Sequence, residues 1–265
     1  MLKIGNFIGM SGNIKGVFLL LCFALTSVFG FSNNAESDTS LQVKKAVGFI
    51  NKNVNSSAGF FMYPLLLFLK NEKNVPLEFN VDSVYKYADA SLLKIVKPLI
   101  ALGAPDSAKA YPINQIDKDD YLTRLMYYSF NYPKVYSLKS MAYYANKLYK
   151  LGGYESTHTY FSLFILFNRN RALKPDTKLK YMLDYSRKET ISLAKSKTNT
   201  TDLRIEAIAM LSEEDIGFIS SDDIDFILSS QNDDGSWCNT AAEGEQNKMH
   251  STVLALWALT NWLST

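Results

Sequence analysis

The sequence predicts an all-α protein: helical hairpins forming a ring or incomplete ring, with an irregular helical bundle as the alternative. Three observations predict it. Apolar residues recur at helical spacing after Leu41, beginning with Val43, Val47, Ile50 and Val54. Stretches that are apolar on every side alternate with amphipathic ones. A helix apolar all round must touch protein all round, whereas an amphipathic helix faces water on one side, so the alternation implies an inner and an outer layer. Finally, no segment shows the sustained two-residue alternation of a strand.

The N-terminus is set apart first. Lys3 and Lys15 precede Val17 to Phe31, which is apolar except for Thr26, Ser27 and Gly30. A membrane span needs about 20 residues. The run is shorter and reads as the core of a secretory signal peptide, residues 1–30, with Val28 and Gly30 before the cleavage point. The rival reading is an uncleaved anchor through residues 17–31. Leu19-Leu20-Leu21-Cys22 lacks the small residue of a lipid-attachment box. Residues 31–40 are a polar spacer and 41–265 a single all-helical domain, secreted or periplasmic unless anchored.

Within that domain, Phe60 to Leu69 is apolar on all sides, with Pro64 near its start. Asp82 to Leu102 is helical in period. Pro98 kinks or splits it, and Gly103 and Pro105 end it. Asp119 to Phe130 and Val135 to Leu151 are amphipathic, the second stopped by Gly152-Gly153. Thr157 to Asn168 is apolar, and Lys178 to Lys195 amphipathic. Asp202 to Leu211 is a short helix. Ser212 with Glu213, Glu214 and Asp215 suits the start of a following turn, as Ser221, Asp222 and Asp223 suit Ile224 to Ser230. The last helix runs from Ser251 to Leu263. At ~40 residues per hairpin the domain holds five or six hairpins.

Composition narrows function. The chain has 28 basic and 26 acidic residues, and the two lysines of the export segment bring the remainder to neutrality. That removes the electrostatic case for a nucleic-acid partner. A small molecule, a glycan or a protein remains as partner, and a membrane only if the N-terminal segment stays attached. Cys22 leaves with that segment, so Cys238 has no partner for an internal disulfide.

The richest motif is Gln231-Asn232-Asp233-Asp234-Gly235-Ser236-Trp237-Cys238, followed by His250-Ser251-Thr252 and an apolar helix. This Q-x-x-D-G-S-W turn leading to H-x-T-x-x-A-L resembles the repeat signature of α/α-toroid proteins, the terpene-cyclase and protein-prenyltransferase β-subunit superfamily. The resemblance covers residues 231–260 and, more faintly, 152–167. It implies an α/α toroid whose parallel inner helices gather their N-termini at one mouth. His158 follows Gly152-Gly153-Tyr154 as His250 follows Asp234-Gly235-Ser236-Trp237. Both imidazoles are therefore expected at that mouth, with Tyr154 and Asp234. These four residues are the candidate catalytic set, set against capping and packing roles. No cofactor is expected. The resemblance suggests zinc on Asp234, Cys238 and His250, but the family's aspartate and cysteine lie two apart and in the preceding repeat, and here the separations are four and twelve.

Other motifs are incomplete. Asp117-Lys118-Asp119-Asp120 spells the D-x-D-D acid motif of squalene–hopene-type cyclases, but its polar loop setting makes it a helix cap. Asp222-Asp223-Ile224-Asp225 fits neither that motif nor D-D-x-x-D. Gly244-Glu245-Gln246 lacks the cysteine a thioester needs, Glu243 standing in its place. Clusters such as Tyr127-Tyr128-Ser129-Phe130-Asn131-Tyr132 and Tyr143-Tyr144 are candidates to line a sugar or lipid pocket, or to fill space between helices. The expected function is therefore non-catalytic binding of a ligand or partner on an exported toroid-like scaffold. The alternative is an enzyme with its pocket at the inner-helix N-termini, carbohydrate lyase- or hydrolase-like rather than terpenoid cyclase-like.

Overall fold

A computed structural model describes residues 38–104, 111–132, 134, 137–171, 173, 177–238 and 244–265. The predicted signal segment lies outside them. Contacts divide the chain after Leu41, and apart from the helical residues 38–41 everything below concerns the unit Gln42–Thr265. Among the described residues the chain is all-helical, without strands. No helix among them is long and apolar enough to cross a membrane.

The helix α1 covers residues 38–53, so helix begins inside the expected polar spacer. The apolar stretch after it forms two helices, α2 (Ser57–Phe61) and α3 (Tyr63–Glu72). Pro64 explains the division: it sits in the first turn of α3, where its missing N–H costs nothing. After α4 (Val81–Tyr85), α5 (Ala90–Leu99) ends one residue past Pro98 and tightens into a 3₁₀ turn, Ile100–Leu102. Next come α6 (Tyr121–Phe130), α7 (Leu138–Leu148), α8 (Gly153–Arg169) and α9 (Thr177–Lys195). The chain ends with α10 (Thr201–Glu214), α11 (Ser221–Ser229) and α12 (Glu245–Leu263).

The caps follow residue chemistry. Asp120, the last letter of D-x-D-D, accepts the Thr123 N–H as the N-cap of α6, so that motif caps as expected. Asp223 closes a capping box with Ser220 and pairs with Lys195 and Arg204. Several boundaries differ from expectation, three of them on α8, α10 and α12. Ser212, Glu213 and Glu214 belong to the end of α10, not to the start of the next turn, because tertiary partners hold them there. Asn261 donates to Ser212, Trp257 Nε1 donates to Glu213, and Arg187 grips Glu214 with two nitrogens. The helix α12 starts six residues early, at Glu245, an acidic residue that suits a helix N-terminus. α8 starts four residues early, at Gly153.

α8, α10 and α12 are parallel and in constant register. Tyr154 reaches Asp202, and Asp202 reaches His250, each across 48 residues. Thr157 reaches Glu206 and Ser251 reaches Asp202 across 49. Farther along, Asn261 reaches Ser212 across 49 and Glu213 across 48. Identical offsets at both ends of α10 and α12 require parallel axes, and α8 keeps the same offset to α10 over its first two turns, so the spacing here is longer than the ~40 residues expected. α9 lies between α8 and α10 on their other side, packing on both, and α7 packs on α6, α8 and α9. α6 packs on α5 and α8, and α12 packs on α10, α2 and α3.

The layers follow from this packing. α10 is buried from Ile205 to Ser212, and α12 from Ser251 to Leu259, without a solvent face. α9 buries only a stripe, Leu179, Met182, Leu183, Ser186, Thr190 and Ala194. Edge-to-face aromatic contacts cross the interior from Phe130 to Phe161, Trp257 and Phe68, with ring centroids 6.0, 5.1 and 5.3 Å apart in turn. Arg169, at the end of α8, donates to the carbonyls of Ala101 and Leu102 and pairs with Glu72, tying α8 to the 3₁₀ turn and α3.

The Q-x-x-D-G-S-W turn is a structural joint. Gln231 donates to the carbonyls of Gln42 and Gly235, and Asn232 donates through its backbone to the Ser236 carbonyl. Asp234 accepts from the Ser236 N–H and hydroxyl at 3.0 and 2.5 Å. Trp237 is fully buried. Its indole donates to the Ile227 carbonyl, and its backbone N–H donates to Thr252. Gly235 has φ +87° and lies against α1, where a Cβ would collide with the Lys45 carbonyl. Gly152 has φ +76° but open space around it. Gly235→Ala should therefore cost more than the conformational penalty of about 1–3 kcal/mol, and Gly152→Ala no more than that penalty. Urea unfolding of the two variants checks the order, and equal losses would contradict the joint.

Candidate functional site

Side chains on α8, α10 and α12 meet at the N-terminal ends of these helices. His158 is the sixth residue of α8, Glu206 the sixth of α10 and His250 the sixth of α12. Both histidines therefore stand in the second helical turn, not at a cap, because both helices begin earlier than the apolar pattern suggests. Register also separates them. Tyr154, Asp202 and His250 occupy one layer at 48-residue intervals, while His158 and Glu206 occupy the next, one turn deeper. The matching sequence contexts of the histidines do not correspond to matching positions.

Glu206 is the centre of the group. It is fully buried, inside the run Ile205 to Leu211. Its Oε1 accepts from the Thr157 hydroxyl and lies 3.3 Å from His158 Nδ1. Its Oε2 lies 3.5 Å from His250 Nε2 and accepts no hydrogen bond among the described residues. His158 Nδ1 donates to the Tyr154 carbonyl at 2.8 Å, which fixes the proton on that nitrogen. His250 Nδ1 faces Asp202 Oδ1 at 2.9 Å. Asp202 also accepts from Ser251 and from the Tyr154 hydroxyl, both at 2.5 Å. Tyr154 stands edge-on to the His250 ring, with centroids 6.5 Å apart.

The electrostatics follow from this geometry. Burial opposes a charged His158, but the charge of Glu206, its hydrogen bond and the Tyr154 carbonyl together lift the imidazole pKa to about 9. Burial likewise opposes charge on His250, and Asp202 then Glu206 overcome it, so its pKa also rises. Asp202 is held below the usual carboxylate range: desolvation raises it, but hydrogen bonds from His250, Ser251 and Tyr154 and the His250 charge outweigh that. Burial, with the Asp202 hydrogen bond and charge, pushes the Tyr154 phenol up. His158 is thus cationic near neutral pH, and both imidazoles face carboxyl groups.

This charged group forms one end of an apolar cavity of about 230 Å³. Its walls are stripes at helical spacing: Leu122, Met126 and Phe130 on α6, Met210 on α10, Leu254 and Trp257 on α12. Phe61, Met62, Pro64 and Leu65 come from α2, α3 and their junction, and Ile95 and Leu99 from α5. His158 and His250 are about one-fifth exposed, at 20% and 21%, so the polar end reaches solvent.

Three of the four residues expected at the mouth converge: His158, His250 and Tyr154. Asp234 does not. It serves the Ser236 turn and faces Lys248 at 3.7 Å. The zinc set is likewise not assembled. His250 turns to Asp202 and Glu206, Cys238 accepts from Asn232 at 3.3 Å, and Asp234 stays in its turn. No group of three His, Cys, Asp or Glu among the described residues is arranged to hold a metal ion. Of the tyrosine clusters, only Phe130 lines the cavity. Tyr127 is buried on the Tyr111 carbonyl, and Tyr121, Tyr128 and Tyr144 stack on one another. Asp202 and Glu206 were not singled out from sequence. Their signal was a carboxylate pair four apart on a helix that otherwise becomes wholly apolar. Comparison with protein-family models, curated proteins and solved structures finds no match to the chain.

Two outcomes follow. Because the folded pKa of His158 exceeds its unfolded value, its stabilisation is complete below about pH 6.5 and is lost as pH rises through about 9. Asp202 works in the opposite sense: its contribution is present above its unfolded pKa and is lost as pH falls through the depressed folded value. NMR titration should place the His158 midpoint near pH 9, and a midpoint at 6.5 would contradict the ion pair. Asp202→Ala removes one partner of a buried pair and should destabilise by roughly 3–5 kcal/mol, read by urea unfolding. A loss below about 1 kcal/mol, the worth of an exposed pair, would mean that His250 does not depend on it.

Proposed function

We propose that the protein is an exported, toroid-like binding protein whose axial cavity takes a small, largely apolar molecule without transforming it. The observation that carries this reading is the apolar cavity of about 230 Å³ with a single charged end. A dry cavity of about 150 Å³ suffices to hold benzene, so this one has room for a larger guest. Burial of the guest's apolar surface drives association, at roughly 25 cal/mol per Å² before the costs of binding.

The ring arrangement is supported by the order of packing. The helices α5, α6, α8, α10 and α12 neighbour one another in turn, α12 packs on α2 and α3, and all of them line the cavity. The parallel register of α8, α10 and α12 and the Q-x-x-D-G-S-W turn point the same way. Non-catalytic binding is favoured by the state of the imidazoles. A general base works best with a pKa near the operating pH, and His158, raised to about 9, is already protonated there.

Toluene serves as an uncharged probe. At ten times its Kd it should stabilise the protein by about 1.4 kcal/mol, seen as a rise in Tm. Met126→Trp, which fills the cavity from α6, should abolish the rise while the protein stays folded. No stabilisation of the parent protein by toluene or related hydrocarbons would sink the reading.

A further inference from the structure

The polar end of the cavity holds one buried, unsatisfied acceptor beside an imidazole nitrogen. Glu206 is 0% exposed, lines the cavity, and its Oε2 accepts no hydrogen bond among the described residues. A buried carboxyl oxygen left without a donor is costly. The nearest imidazole nitrogen, His250 Nε2, stands 3.5 Å away as an ion-pair partner that makes no hydrogen bond to it. The other nitrogen of that ring is committed to Asp202 at 2.9 Å. Oε1 is likewise committed, to Thr157 and His158.

A guest that satisfies both groups must donate one hydrogen to Glu206 Oε2 and accept one from His250 Nε2. We infer that the guest is an apolar molecule carrying one hydroxyl, an alcohol whose O–H sits between Glu206 and His250. This rests on the cavity-binding reading above and names the head group that the cavity selects.

Other head groups fit less well. A carboxylate or phosphate accepts but does not donate, and it adds negative charge beside Glu206 and Asp202. An ammonium donates to Oε2 but offers nothing to the His250 donor and adds a cation beside two imidazoles. An ether or ketone accepts from His250 and leaves Oε2 unbonded. A hydroxyl can serve both groups and adds no charge to them. Apart from Thr123, the remaining wall is apolar, so the rest of the guest is hydrocarbon.

Four probes of equal heavy-atom count separate these cases: 1-heptanol, 1-methoxyhexane, octane and heptylammonium, each titrated into the full protein by calorimetry. The alcohol should bind at least tenfold more tightly than the ether, because a site built around a hydroxyl rejects the analogue that leaves its polar group unpaired. In Glu206→Gln that ratio should collapse towards one, with octane binding little changed. If that variant does not fold, the alcohol-to-ether ratio in the parent protein decides alone. Ether or octane binding as tightly as the alcohol overturns the head-group inference but leaves the cavity reading standing. Tighter binding of heptylammonium overturns it in favour of a cation. If no probe binds, the cavity reading itself fails.

Discussion

The structure depends on a carboxylate that has no access to water. Glu206 stands in the middle of a helix otherwise buried among apolar residues, and it is tolerable there only because α8 and α12 bring partners to it. A buried ion loses several kcal/mol of hydration, which only close opposite charges and hydrogen bonds offset. Thr157, His158 and His250 must therefore arrive at fixed heights, and their heights are set by the parallel register of the three helices. The need to neutralise Glu206 and the need to align α8, α10 and α12 are one constraint. The Trp237 joint enforces it from outside by linking the Ile227 carbonyl to Thr252, two residues after His250.

Such an arrangement trades stability for definition. Replacing a buried ion group with hydrocarbon often leaves a protein as stable or more so. Here the ions keep one end of an otherwise apolar cavity polar and hold the imidazoles in a single orientation. Tyr154 closes the group on the solvent side through Asp202, and it is partly exposed, at 39%. The opposite wall is closed by aromatic contacts that carry no charge, except where Trp257 donates to Glu213, itself paired with Lys73 at 2.7 Å.

Much of the architecture was legible because burial leaves a periodic trace. The apolar runs marked α3, α8 and α12 as buried helices, and the stripes of α7 and α9 marked them as partly exposed, whereas the α10 segment read only as a short helix. Proline and glycine located the breaks at Pro98 and Gly152, while the division before Pro64 was not expected. The helix starts were not legible. Glu245-Gln246-Asn247-Lys248 is polar, so the apolar pattern opened α12 too late and made His250 look like a cap. The same error at α8 hid the fact that the two histidines lie one turn apart. Asp202 and Glu206 escaped notice for another reason: sequence cannot say that a charged residue in a helix faces inward until its partners are known. Asp234 was misplaced because its motif is conspicuous, and its role is to shape the turn that seats Trp237.

The layer of Tyr154, Asp202 and His250 has one further property. Each helix contributes a single residue to it at the same height, so the polar rim is spelled by three letters on a common frame. Exchanging one letter alters charge, donor count or bulk beside the cavity, and at Asp202 and His250 it also costs stability, because these two are paired with each other. On such a scaffold Tyr154 is the letter most open to exchange, whereas Asp202 and His250 carry recognition and folding through the same residues.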